Sequence, residues 1–350
     1  MPSPTPQTPF KLLLHKTLSD YVTAIAWSLD GAWLVASSAA GDIVRYEVKT
    51  GKTTVLQEAD GESVDALTMS ADGRFLAAGG QAGTVWIWRL EGSTSTLVTT
   101  LEHSRAWIDC LQWHPQQPEL AFSFGRYVQV WDAITQSVIT TLNFESSSVL
   151  DLAWHPQGDR LSVSGNQSIK TWRRQDWDEE PTVEETGAAS EAIAWSPDGT
   201  YFASGNNDCS MLVWEEGNLD SWHMQDFPGK VRQLAWSMPT AVGAPLLAAI
   251  SSEKVIVWTK DSDPSVGWMS QMLDTHQGIL RAIAFQPESL LLASAAEDGL
   301  LCLWDKGSDL VQSFEDASAE LSCLAWSYSG RAIAAGDSQG NVLVWMKVIL

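Results

Sequence analysis

The chain is long enough to form a large core and carries a strong excess of acidic residues. It has 350 residues, 45% of them hydrophobic, and 43 acidic against 21 basic residues give it a formal net charge of -22. Nucleic acids and anionic membranes are bound mainly through Lys and Arg, so this charge argues against both as partners. We interpret the acidic surface as one that keeps the protein soluble. The alternative is a docking surface for a basic partner.

The N-terminus shows no targeting signal. The first residues, MPSPTPQTPF, lack the basic and apolar regions of a signal peptide, and no apolar stretch reaches the roughly 20 residues that span a bilayer. We interpret residues 1–9 as a flexible lead and residues 10–350 as a single domain. The expected location is cytoplasmic, and the expected state of the isolated chain is monomeric.

From residue 10 onward, one pattern of short apolar runs and tight turns recurs eight times. Successive copies are about 41 to 46 residues apart, a period typical of propellers or solenoids. Each copy closes on an aromatic residue, and these residues are Tyr46, Trp88, Trp131, Trp172, Trp214, Trp258, Trp304 and Trp345.

The fifth copy illustrates how the pattern predicts strands. Residues 192–195, 201–204 and 211–214 are apolar or small, and turns rich in Pro, Asp, Gly and Asn separate them. Such short, punctuated runs predict strands and not helices. A fourth candidate strand lies between most copies, for example at residues 136–142 and 310–314. Four antiparallel strands make one blade of a β-propeller.

From Phe10 to Trp345 the chain resembles the WD-repeat family, whose unit carries strands lettered d, a, b and c and ends strand c with Trp-Asp. The dipeptide itself is present at Trp131-Asp132 and Trp304-Asp305. The resemblance also implies a structural tetrad of His, Ser or Thr, Asp and Trp. The seventh copy has all four members: His276, Ser294, Asp298 and Trp304. We interpret this set as structural, because buried polar groups persist when they hydrogen-bond to one another.

The number of blades follows from counting strands. Eight copies of strands a, b and c are present, but only seven candidate d strands lie between them. Lys11 to Leu18 supplies the eighth if it pairs with the C-terminal strand at Asn341 to Trp345, which would close the ring. We therefore predict an all-β propeller of eight four-stranded antiparallel blades. A ring of seven, the family's usual number, is the alternative.

Metal, disulfide and cofactor signals are weak. The four cysteines are scattered without CxxC pairing, which favours free thiols in a reducing compartment. His114 and His155 occupy equivalent turns of adjacent copies and have no Cys or carboxylate close by in sequence, so we assign them to the repeat and not to zinc. No phosphate-binding loop or catalytic motif is present. We predict no cofactor and no metal.

The resemblance implies that the turn between strands d and a faces the top surface, where partners dock around the channel mouth. On this face Lys230 and Arg232 of the sixth copy lie near Arg281 of the seventh, an unusual basic group in so acidic a chain. One hypothesis is that this rim binds a peptide or protein segment, with acidic groups on the basic residues and apolar groups on Trp107 and Tyr21. The other is that the basic residues only pair with Glu297 and Glu191. The candidate partner-binding residues are Tyr21, Trp107, Lys230, Arg232, Arg281 and Glu297.

The sequence therefore predicts a non-catalytic scaffold for protein interactions whose partner remains to be identified. The alternative is a propeller hydrolase or lactonase with a metal in the channel, since one fold hosts many functions. Two irregular segments, residues 173–185 and 238–245, are either private docking loops or solvated surface loops.

Overall fold

A computed structural model describes residues 9–92, 94–103, 106–218, 220–239, 243–263 and 265–348. Within these ranges the chain forms 32 β-strands and no helix. The strands group into four-stranded antiparallel sheets, one for each predicted blade. These findings confirm the all-β fold class and the count of eight blades. The predicted flexible lead lies outside the described residues except for Pro9.

The strands follow the chain blade by blade, each blade running from its innermost strand outward. The chain begins with β1 (Phe10–Thr17). Blade one contains β2 (Val22–Trp27), β3 (Trp33–Ser38), β4 (Ile43–Glu47) and β5 (Thr53–Gln57). Blade two contains β6 (Ala66–Met69), β7 (Phe75–Gly79), β8 (Thr84–Glu91) and β9 (Thr94–Glu102). Blade three contains β10 (Leu111–Trp113), β11 (Glu119–Phe124), β12 (Tyr127–Asp132) and β13 (Ser137–Asn143). Blade four contains β14 (Asp151–Trp154), β15 (Arg160–Ser164), β16 (Ser168–Arg173) and β17 (Thr182–Glu185).

The second half of the ring repeats this order. Blade five contains β18 (Ser190–Trp195), β19 (Tyr201–Asn206), β20 (Met211–Glu215) and β21 (Trp222–Met224). Blade six contains β22 (Val231–Trp236), β23 (Leu247–Ser251), β24 (Lys254–Lys260) and β25 (Trp268–Leu273). Blade seven contains β26 (Leu280–Phe285), β27 (Leu292–Ala296), β28 (Leu301–Asp305) and β29 (Asp309–Phe314). Blade eight contains β30 (Leu321–Trp326), β31 (Ala332–Asp337) and β32 (Asn341–Lys347), with β1 outermost.

Short side-chain hydrogen bonds shape the turn between the first two strands of a blade. In blade five the Ser196 hydroxyl donates to Asp198 (2.6 Å) and accepts from the backbone N–H of Tyr201 (2.8 Å). Gly199 follows at φ +73°, a left-handed conformation that glycine adopts without a steric penalty. This Ser-x-Asp-Gly arrangement reverses the chain tightly and sets the register of the next strand.

The two ends of the chain close the ring. β1 pairs antiparallel with β32, from Phe10 opposite Lys347 to Thr17 opposite Asn341. The innermost strands β2 and β30 also lie against each other, so blade one follows blade eight around the channel. The prediction that the N-terminal segment supplies the missing outermost strand is therefore confirmed.

Tryptophan side chains on the innermost strands join neighbouring blades. Among the described residues, five indole N–H groups donate to an innermost-strand carbonyl of the preceding blade. These bonds run from Trp27 to Ala325 (3.0 Å), Trp113 to Thr68 (3.2 Å), Trp154 to Gln112 (3.3 Å), Trp236 to Ala194 (3.1 Å) and Trp326 to Ala284 (3.1 Å).

Candidate functional site

The candidate site lies on the face formed by two kinds of turn in each blade. The turn before the innermost strand and the turn between the second and third strands are joined by backbone hydrogen bonds. Examples are Ala39 N–H to the Tyr21 carbonyl (2.9 Å) and Glu297 N–H to the Ile279 carbonyl (3.0 Å). These bonds fix the positions of the candidate residues relative to the sheet. We call this surface the top face.

The basic residues of the top face differ in their partners. Lys230 Nζ lies 3.1 Å from Glu191 Oε1, and Arg281 forms an ion pair with Glu297. Arg232 is exposed, and its side chain has no hydrogen bond or ion pair with any residue in the described ranges. Lys230 and Arg281 therefore pair with neighbouring carboxylates, as one hypothesis expected. The Arg232 guanidinium has no such partner among the described residues and is available to bind another group.

A cleft separates blades six and seven on this face. It has a volume of ≈ 420 Å³ and is lined by the apolar Ile250, Ile279 and Leu280 together with Lys230, Arg232, Ser252 and Glu253. Ile279 is 42% exposed, so an apolar surface lies directly beside the free guanidinium. The cleft can accept a group that has both an apolar part and a negative charge.

Tyr21 belongs to this charged region, whereas Trp107 does not. Burial raises the pKa of Tyr21, Arg281 lowers it, and Glu297 and Glu320 raise it further, so its hydroxyl lies within the field of the blade-seven ion pair. Trp107 is 58% exposed and lies in the turn before blade three, across the ring from blade seven. Tyr21 therefore interacts electrostatically with Arg281 and Glu297, whereas Trp107 lies apart.

Carboxylates dominate the opposite side of the channel mouth. Burial and the nearby charge of Asp65 raise the pKa of Asp109. Asp151 of blade four accepts backbone N–H bonds from Leu152 (2.8 Å) and Ile193 (2.9 Å), and its burial raises the pKa to about 6. The repeat pattern did not identify Asp151, because no acidic residue recurs at its position. The next blade has Ala192 there. The mouth thus carries carboxylates at blades two to four, and ion pairs together with the Arg232 guanidinium at blades six and seven.

The four residues that match the tetrad form a continuous chain of hydrogen bonds in blade seven. His276 Nδ1 lies 3.1 Å from Asp298 Oδ2, and His276 Nε2 lies 2.8 Å from Ser294 Oγ. Trp304 Nε1 donates to the same Ser294 oxygen at 2.9 Å. With Nδ1 donating to the carboxylate, Ser294 donates to Nε2 and accepts from Trp304, so each polar atom has a partner.

The pKa shifts of His276 and Asp298 agree with a neutral His276 in this series of hydrogen bonds. Burial lowers the pKa of His276, although the Asp298 carboxylate acts in the opposite direction. Burial tends to raise the pKa of Asp298, but N–H bonds from Gln277 and Leu300 and the contact with His276 hold it below its usual value. The arrangement ties the turn at Asp298 to the centre of the sheet and exposes no free nucleophile.

A family model described as "WD domain, G-beta repeat" matches six segments of the chain. They are residues 11–45, 52–89, 136–173, 187–215, 267–305 and 308–346, together more than half of the sequence. The chain belongs to the WD40 family. The two copies without a match are the third, whose turn at Gly125-Arg126 is unusually short, and the sixth, which carries the insert at 238–245.

Curated relatives of this WD40 chain resemble parts of it. It is 22% identical over 177 residues to Protein HIR1 of Eremothecium gossypii, covering 43% of this chain and 21% of the relative. It is 27% identical over 110 residues to the protein transport protein sec13 of Aspergillus fumigatus, covering 29% and 35%. It is 25% identical over 150 residues to the pre-mRNA-splicing factor cwf17 of Schizosaccharomyces pombe, covering 42% of each. Each match spans less than half of the relative's length.

The remaining candidates for chemistry have structural partners in this WD40 ring. His114 Nε2 donates to the Gly158 carbonyl (2.8 Å) while Nδ1 accepts from two backbone N–H groups. His155 Nδ1 lies 2.7 Å from Asp159, and its buried Nε2 has no partner among the described residues. Within the described ranges no group of three or more His, Cys, Asp or Glu residues is placed to hold a metal ion. All four cysteines are free. None of the described residues forms a helix of the length and apolarity that crossing a membrane requires.

The two irregular segments have different places in the structure. Residues 173–185 end in β17, the outermost strand of blade four, and Arg174 forms an ion pair with Glu119 of blade three. Part of this segment is therefore sheet and not a free loop. In the segment 238–245, residues 240–242 lie outside the described residues.

Proposed function

We propose that this WD40 propeller is a non-catalytic, cytoplasmic interaction scaffold that binds a peptide or protein segment on its top face. Acidic groups of the partner bind at Arg232 and Arg281, and apolar groups contact the cleft between blades six and seven. Tyr21 and Glu297 complete this surface, Lys230 borders it, and Trp107 offers a separate apolar contact. The isolated chain is monomeric, with residues 10–350 as one domain.

The observation that carries the proposal is the exposed Arg232 side chain beside an apolar cleft. Arginine is a frequent anchor at protein interfaces, because its planar guanidinium binds carboxylates in a bidentate manner. Of Lys230, Arg232 and Arg281, Arg232 is the one without an acidic partner among the described residues, and it lines the cleft. Membership of a repeat family built on a rigid ring agrees with a role in binding. No observation specifically favours the alternative of a channel-metal hydrolase.

The test begins with affinity purification and mass spectrometry from the native host to identify partners. The double variant Arg232→Glu, Arg281→Glu is then compared with Lys306→Glu, Arg331→Glu, which makes the same change of charge at exposed sites on the opposite face. We expect the top-face variant to bind the identified partner at least about tenfold more weakly, as loss of about 1.4 kcal/mol implies. The control should bind normally. Equal binding by both variants and the unmodified chain would refute the proposal.

A further inference from the structure

A second cleft lies on the side of the ring, between the outer parts of blades five and six. It has a volume of ≈ 470 Å³, and its walls include Trp222, Phe227, Trp258 and Met272. The cleft exists because β21, the outermost strand of blade five, is only 3 residues long, whereas β25 of blade six has 6. The short strand leaves side chains of blade six uncovered.

Apolar side chains around this side cleft are unusually exposed. Val266 is 51% exposed and Met272 52%, and they flank the partly exposed rings of Trp222 and Trp258. Single exposed apolar residues are normal on a protein surface, but a contiguous group beside an aromatic cleft marks an interaction site. Methionine and tryptophan suit such a site because flexible and broad side chains adapt to an apolar ligand.

Two walls of the side cleft contain hydrogen-bond donors without acceptors. The indole nitrogens of Trp258 and Trp268 are buried and have no hydrogen-bond partner among the described residues. In blade seven the equivalent Trp304 donates to Ser294, but the position of Ser294 is taken in blade six by Ala249. A ligand that opens the cleft slightly and places carbonyl oxygens near these indole N–H groups would supply the missing acceptors. An extended segment has free carbonyls, whereas those of a helix are already paired.

The surroundings of the side cleft are acidic. The bordering segments 215–226 and 259–274 contain several acids, among them the exposed Asp220, Asp226 and Asp263, and Lys260 is their only Lys or Arg; Asp274 pairs with Lys254. Lys260 Nζ is itself 2.7 Å from Glu215 Oε2. Basic side chains at the ends of a bound segment would therefore meet favourable charge.

We propose that the side cleft binds an extended segment of a partner protein, with apolar side chains in its centre and Lys or Arg at its ends. The apolar side chains pack against Trp222, Trp258 and Met272, and the backbone carbonyls accept from the indole N–H groups. This site is separate from the top face, so one ring can hold two segments at once.

The test uses a labelled synthetic peptide with a centre of alternating leucine and proline, flanked by lysines. Proline keeps this probe extended. Fluorescence anisotropy compares its binding to the unmodified chain, to Met272→Glu and to Met238→Glu. Met238 is the matched control, because it is 42% exposed in the same blade but outside the cleft. A second peptide replaces the lysines by glutamates.

We expect the lysine-flanked probe to bind and Met272→Glu to weaken it about tenfold or more, as is common at an interface anchor. Met238→Glu should have no effect, and the glutamate-flanked peptide should bind much more weakly. Absence of binding, equal binding of the two peptides, or insensitivity to Met272→Glu would overturn the proposal. Arg232→Glu, Arg281→Glu should leave probe binding unchanged, so failure of the top-face proposal and failure of this one are distinguishable.

Discussion

Replacing Trp236 by phenylalanine tests whether the inner tryptophans hold neighbouring blades together. The Trp236 indole donates to the Ala194 carbonyl of blade five at 3.1 Å, and the ring is 8% exposed. Phenylalanine keeps most of the apolar contact but removes the donor. The carbonyl then loses its partner from the next blade.

The expected cost has two parts. Loss of a hydrogen bond between protein groups removes about 1 kcal/mol of stability. Loss of the buried atoms of the larger ring removes about 1 kcal/mol more at about 25 cal/mol per Å². We therefore expect Trp236→Phe to lower the free energy of unfolding by about 2 kcal/mol.

Trp195→Phe is the matched control for this experiment. Trp195 occupies the equivalent position but donates to the Ser162 hydroxyl (3.2 Å), which also bonds to Thr171 (2.9 Å). Trp195 is only partly buried and its acceptor keeps Thr171 as a partner, so we expect a smaller cost of about 1 kcal/mol. Guanidinium unfolding followed by circular dichroism measures both. Equal costs for the two variants would refute the idea that the indole bonds to carbonyls stabilise contacts between blades.

Three further predictions concern the polar network, the channel mouth and ring closure. Ser294→Ala leaves His276 Nε2 and Trp304 Nε1 unpaired, so unfolding experiments should show a loss of about 2–4 kcal/mol, whereas the exposed Ser313→Ala should change little. Burial raises the pKa of Asp151 to about 6 from 3.8, so the folded chain loses stability as pH rises from about 4 through about 6. The Asp151→Asn variant lacks this pH-dependent loss. Its free energy of unfolding relative to that of the unmodified chain should therefore rise by up to about 3 kcal/mol between pH 4 and 7. A difference between the two proteins that does not depend on pH would contradict this prediction. Deleting residues 1–17 removes β1 and with it the buried Phe10 and Leu14. The free energy of unfolding should fall by about 4 kcal/mol, and the open edge of β32 should promote self-association, which size-exclusion chromatography measures. An unchanged elution volume and an unchanged free energy of unfolding would contradict this prediction.

The fold could be predicted from the sequence because the repeat supplies the same information many times. The closing aromatics and the Gly/Asp turns recur at a fixed period, and the N-terminal segment from Lys11 had to supply the missing strand. The pattern also located the inner tryptophans, but not their role. Their donation to carbonyls of the preceding blade depends on how two blades pack, which no single repeat encodes.

The candidate site was less predictable because it depends on contacts between residues far apart in sequence. The sequence placed Lys230, Arg232 and Arg281 on neighbouring blades but could not tell which of them already has an acidic partner. Only the structure shows that Arg232 has none within the described ranges. The side cleft was not predicted at all, since it arises from the shortness of β21 and leaves no motif in the sequence.

Hydrogen–deuterium exchange on the complex with the partner identified by affinity purification tests the central claim most directly. If the top face is the docking surface, binding should slow exchange in the turns that carry Tyr21, Lys230 to Arg232, and Ile279 to Arg281. Exchange in the turns on the opposite face, such as Ser327 to Arg331, should not change. Protection confined to that opposite face would contradict the claim that this ring binds its partner through the top face.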